Sequence, residues 1–215
     1  MCGRYLLATR PDIVVEQFAA RMPGQIILPR FNMAPGQQHP LLTRQKQREF
    51  SLFTWGLQFP QRPLVINIRA ESIFAKDYWQ RELRQRRCLI PATGYYEWER
   101  KTRQPYHIFA AHAYLLAFAG ITYYNRATNA HQFAVITREA PSQLSHIHHR
   151  APLTIAAKQW HKWLEADTDH LELLSVGQSI NDSDWRFLAT STRVNSVNND
   201  DKSLLHAAPI QEKLF

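Results

Sequence analysis

Hydrophobic residues along this chain recur mostly at a period of two, in short runs cut by proline, glycine and polar clusters. Residues 2–8 alternate as a strand, and Pro11 is placed to open a helix over 11–21 with Ile13, Val14 and Phe18 on its buried stripe. Pro23-Gly24 ends that helix, and the turn-rich stretch 30–37 reads as a loop. Strands are predicted at 40–43, 50–55 and 64–68, then a helix over 76–86 that turns Tyr78, Trp79 and Leu83 inward. Further strands follow at 88–90, 95–98, 106–109, 115–122 and 133–137. Helices are predicted at 141–145, 156–165 and 170–176, and a last strand at 187–192 leads into a polar tail. Many short strands, scattered helices and no βαβ rhythm predict an α+β fold. Its expected form is a bent or barrel-like, mainly antiparallel sheet flanked by helices, in one domain over residues 1–215.

Composition narrows the partner class. Lysine and arginine outnumber the acidic residues by 26 to 18, giving +8, which suits a polyanion because neutralised phosphates release counterions. A merely basic protein would carry the same charge. The 12% aromatic share serves a core and can also supply stacking platforms for bases. Two cysteines, Cys2 and Cys88, make no disulfide framework. The first residues carry no basic and apolar leader pattern, and no apolar run reaches a membrane span. The expectation is a cytoplasmic or nucleoid-associated protein without a membrane partner.

Cys2 follows the initiator methionine. Removal of Met1 would place an α-amine and a β-thiol on one residue. The α-amine has a reference pKa of about 7.7–8.0 against about 10.4 for lysine, so far more of it is neutral and able to attack an aldehyde. The thiol can then close on the imine carbon as a five-membered thiazolidine, a step made effectively intramolecular by the shared carbon frame. By itself the dipeptide favours the plainer reading, an ordinary small residue opening the first strand.

Met1-Cys2-Gly3-Arg4-Tyr5 is joined by five further segments. These are Arg30-Phe31-Asn32-Met33-Ala34-Pro35-Gly36, Trp55-Gly56-Leu57, Ile66-Asn67-Ile68-Arg69-Ala70-Glu71, Gly94-Tyr95-Tyr96-Glu97-Trp98 and Ile147-His148-His149-Arg150-Ala151-Pro152. With the tail Val194-Asn195-Ser196-Val197-Asn198, their order and spacing resemble the SOS response-associated peptidase (SRAP) family over nearly the whole chain. The resemblance implies a protein that shields abasic sites in single-stranded DNA, including those near single-strand to duplex junctions. It makes Cys2 the crosslinking residue, Asn67 the amide beside it, Glu97 an acid–base group and His148 the group that protonates the sugar ring oxygen. A histidine titrating near neutrality suits that last task, and a carboxyl among apolar neighbours suits proton shuttling. Arg4, Arg69 and Arg150 are implied phosphate contacts, and Pro35 a wedge against flanking bases. The scheme needs the amino terminus solvent-accessible beside the other three groups.

Two departures stand out. The family follows Trp-Gly-Leu with proline and tryptophan, where this chain has Gln58-Phe59-Pro60, so Phe59 is the only nearby wedge candidate. His149 and Ala151 replace the residues commonly flanking the arginine after the site histidine, one of them acidic. The cluster His146, His148, His149 invites a zinc reading, but no second ligand group accompanies it, and neither metal nor cofactor is expected. A monomer is expected. A non-covalent DNA-binding module would show salt-sensitive binding indifferent to Cys2. A cysteine peptidase acting on other proteins would turn over peptides through Cys2 and His148.

Overall fold

A computed structural model describes residues 2–24, 26, 29–46, 48–165, 169, 172 and 181–206. Two sheets organise it. The first has the order β13-β8-β7-β1-β2, formed by β1 (Arg4–Leu7), β2 (Arg30–Met33), β7 (Gly94–Trp98), β8 (Pro105–Ala110) and β13 (Trp185–Ala189). In the second, β3 (Gln38–Thr43), β4 (Ser51–Trp55), β6 (Arg87–Ala92), β9 (Leu116–Asn125) and β10 (Ala130–Glu139) pair in a ring. β10 bonds both β9 and β4, which closes the barrel. β5 (Asn67–Arg69) and β11 (Arg150–Pro152) attach to β10, and β12 (Thr154–Ile155) attaches to β9. Strand pairing is antiparallel except where β10 meets β4 and β5. The expected α+β architecture, with a mainly antiparallel barrel-like sheet, is what the chain adopts.

The barrel interior explains the alternation. Trp55, Phe133, Phe118 and Tyr5 are fully buried and meet ring to ring, with Tyr5 edge-on to Trp55 at 5.4 Å. His39 sits among them with both nitrogens used: Tyr5 Oη lies 3.0 Å from Nδ1, and Nε2 lies 3.0 Å from the carbonyl of Ala34. Burial holds this imidazole down to a pKa of about 4, so it is neutral. Gly56 takes φ +117°, a conformation open to glycine, as the chain leaves β4.

The helices are shorter than their patterns suggested. α1 (Pro11–Phe18) stops at Ala19, which adopts the left-handed conformation, rather than reaching residue 21. α3 (Asp77–Arg86) agrees with the periodicity in its bounds and in the buried Leu83, but Tyr78 is 44% exposed rather than turned inward, and α2 (Ala70–Phe74) is a further helix that the pattern does not predict. The predicted helix at 156–165 divides into a 3-10 turn, Ala157–Gln159, and α4 (Trp160–Leu164). The predicted helix at 170–176 lies outside the described residues, Glu172 excepted.

The stretch 30–37 is not a loop throughout: Arg30–Met33 is β2. Its polar residues are satisfied from the far end of the chain. The Asn32 amide donates to the carbonyls of Ser196 at 2.9 Å and Asn199 at 2.6 Å and accepts from Arg4 at 2.7 Å. Asp200 accepts from the backbone of Phe31 and Asn32. Asn32→Leu keeps the branched outline of the side chain and strands these partners. We expect a loss of about 3 kcal/mol, seen as a melting temperature lower by about 6–12 °C for a chain of this size. A change under about 2 °C in a calorimetric scan would show that the tail is anchored elsewhere.

Candidate active site

β1 pairs with β7 so that Arg4 lies opposite Tyr96, which brings the residues just before β1 alongside Glu97. β5 enters from the other side, with Asn67 paired to Val135 of the barrel. Asn67 Nδ2 donates to the carbonyl of Cys2 at 2.7 Å, and Asn67 Oδ1 is buried with no hydrogen-bond partner among the described residues. The third approach is the segment between β10 and β11, which puts His148 Nδ1 3.9 Å from Glu97 Oε1. Cys2, Asn67, Glu97 and His148 therefore converge from four separate parts of the chain.

The electrostatics differ from the sequence expectation. His148 does not titrate near neutrality: burial, with positive neighbours, pushes its pKa down to about 4. His148 Nδ1 lies 3.0 Å from the backbone nitrogen of Arg150 and 3.2 Å from its carbonyl oxygen, which holds the ring in place. Burial acts oppositely on Glu97, raising its pKa. Burial thus favours the protonated carboxyl and the neutral imidazole in this pair.

Accessibility also differs. Cys2 is 0% exposed and its thiol pKa is pushed up, first by burial and then by Glu97. In the chain that carries Met1, the Cys2 nitrogen is a peptide amide and the thiol is closed off. Cys2 does not lie at the expected solvent-accessible terminus but belongs to the buried hydrophobic core.

The remaining candidates divide. Arg69 follows Asn67 on β5, is exposed, and makes no side-chain hydrogen bond among the described residues. Arg4 is half-buried and held by Asn32 and by the carbonyl of Val194, both at 2.7 Å. Pro35 lies in the turn before β3; Gly36 N bonds Trp55 O at 2.9 Å, and the Trp55 indole bonds Ile66 O next to Asn67, so this turn adjoins the site. Arg150 is not offered to a phosphate here. Its fork is closed on Glu71, with both N–O distances 2.9 Å, and it also donates to Thr137 O at 2.7 Å. Phe59 does not join the group either, because its ring packs half-buried against Tyr123 of β9 at 5.4 Å. Two residues that matter to this arrangement had no role in the sequence argument. Glu71 and Asn32 both lie inside the quoted segments, but only the long-range partners show what they hold.

These features define a fold of two linked sheets carrying an amino-terminal cysteine beside an amide, a carboxyl and an imidazole. The chain belongs to the SOS response associated peptidase (SRAP) family, whose model matches residues 1–197. It is 30% identical to the abasic site processing protein YoaM of Bacillus subtilis, over 96% of this chain and 98% of that one. It is 26% identical to the abasic site processing protein YedK of Escherichia coli, over 95% and 99%. A crystal structure of a protein from Bacteroides thetaiotaomicron matches the fold with a TM-score of 0.82 at 22% identity, over 97% of this chain and 100% of that one. No described helix is long and apolar enough to cross a membrane.

Proposed function

We propose that this chain processes abasic sites in single-stranded DNA by capturing the ring-opened sugar on Cys2 after Met1 is removed. The observation that carries the reading is the Asn67 amide on the Cys2 carbonyl at 2.7 Å, with Glu97 and His148 adjoining. Removal of Met1 frees the nitrogen as an amine. That amine adds to the sugar aldehyde, water leaves, and an imine remains. The thiol then adds across the imine, sulfur to carbon and its proton to nitrogen, closing the thiazolidine with no net redox change. Glu97 delivers the proton that opens the sugar and releases water, and His148 receives and returns it. Asn67 Oδ1, buried without a donor, is placed to accept from the amine or a sugar hydroxyl. Arg4 and Arg69 take the flanking phosphates, and Pro35 lies against the neighbouring base. The peptidase name of the family fits exposure of Cys2 by loss of Met1, and β-elimination from the imine would give a lyase side reaction.

The test is denaturing electrophoresis of the Met1-processed protein with single-stranded DNA carrying an abasic site. A retarded band that survives denaturation is expected with the lesion, and none with intact DNA or with a chain that keeps Met1. Absence of the band from the processed protein would end the proposal. His148→Ala is expected to slow band formation about 100-fold or more while DNA affinity stays within about two-fold. A loss of affinity alone would remove His148 from proton transfer.

A further inference from the structure

The barrel has a second feature, at the end remote from Cys2. There the β3–β4 turn and the end of α3 are tied together by Arg44 Nη1 on Arg84 O at 3.0 Å and Gln45 Nε2 on Gln85 O at 3.2 Å. Thr122 Oγ1 bonds Arg86 O at 3.0 Å and brings in β9. Between them opens a cleft of about 550 Å³ whose walls include Phe53, Tyr123, Tyr124 and His131, with Lys46 and Arg86 at its edge. Tyr124 is 39% exposed, and its ring meets His131 at 5.0 Å.

Charge around this cleft is lopsided. Glu49 is taken by Arg21 at 2.7 Å and Glu82 by Arg86 at 3.1 Å. Lys46 and Arg48 are exposed with no ion pair among the described residues. Exposed cations beside accessible aromatic faces are the combination that tracks a phosphate backbone while stacking its bases. An apolar ligand would not need the cations, and a bare anion would not need the rings.

We infer that this cleft is a second binding site for single-stranded DNA, with a base against Tyr124 and phosphates on Lys46 and the neighbouring Arg48. It is separate from the Cys2 site. His131 and Val135, the barrel partner of Asn67, are four residues apart on β10, about 14 Å along the strand. From His131 to Glu139, which faces Arg150, the distance along the same strand is about 27 Å. One nucleotide cannot occupy both places. The inference goes beyond the capture chemistry and needs no reactive cysteine.

The test uses the full chain with Cys2→Ala, so that no covalent capture contributes, and a fluorescent oligothymidylate without a lesion. The double variant K46Q/R48Q is expected to reduce the slope of log affinity against log salt by about 1.4, some 0.7 for each lost contact to a single strand. Tyr124→Ala is expected to weaken oligothymidylate about ten-fold with the slope unchanged, and to leave binding of inorganic polyphosphate unaffected. Thermal melts of each variant confirm that it is folded. Unchanged affinity and slope in both the double variant and Tyr124→Ala would overturn the inference. So would an equal loss of polyphosphate binding in Tyr124→Ala, because the ring would then be supporting the cations rather than a base.

Discussion

Cys2→Ala, once Met1 is removed, is expected to leave no abasic-site adduct that survives denaturation, while borohydride present during the reaction still traps one. The substitution keeps the α-amine and deletes only the thiol. Amine attack and loss of water remain available beside Asn67, Glu97 and His148. Ring closure does not, and it is the step that gains from two nucleophiles fixed on one residue. Without it the imine hydrolyses, so recovery of adduct without reductant should fall on the order of 100-fold or more. Borohydride reduces the imine to a stable amine and reports the first step alone. A denaturation-resistant band from Cys2→Ala without reductant would place the bond on another side chain.

Between pH 6.5 and pH 4 the protein is expected to lose much of its stability, with His39 and His107 contributing alongside His148. Burial holds the His39 and His107 imidazoles down to about 4 in the folded chain against 6.5 for the free side chain. In that window the unfolded chain binds protons that the folded chain refuses, so stability falls as the pH falls. Each group can contribute up to about 3 kcal/mol across the interval, large against a typical stability of about 5–15 kcal/mol. Glu97 works in the opposite direction, because its raised pKa lets the folded chain take up a proton first. His107→Leu separates the terms. Its Nε2 is buried with no partner among the described residues, so the polar group is lost at little cost. The variant should show a dependence of unfolding free energy on pH shallower by up to about 1.4 kcal/mol per pH unit in the middle of the window. A denaturant series at several pH values measures this, and an unchanged slope would mean that His107 is already open to protons in the folded state.

The fold was largely legible where side chains alternate over a buried barrel, as at Phe53 and Trp55 of β4 or Phe133 and Val135 of β10. It was not legible where polar residues are satisfied at long range. Asn32 looks like a turn residue because its partners at 196 and 199 lie far along the chain. Short strands such as Arg150–Pro152 follow a histidine-rich stretch with no apolar run of their own; pairing with β10 makes them. The candidate site was legible as a set of residue types in order. The protonation state of His148, the closure of Arg150 on Glu71 and the burial of Cys2 depend on what each group packs against, and residue order does not carry that.

Closure of the five-strand ring bears on how Asn67 meets Cys2. In an open sheet, a strand can slip by a pair of residues and the error ends at a free edge. A ring has no such edge: its stagger is one integer shared by every member, and a slip anywhere would have to be absorbed around the whole circuit. Asn67 takes its height from Val135, a residue of that ring. The amide is therefore levelled by the barrel as a whole rather than by its own three-residue strand.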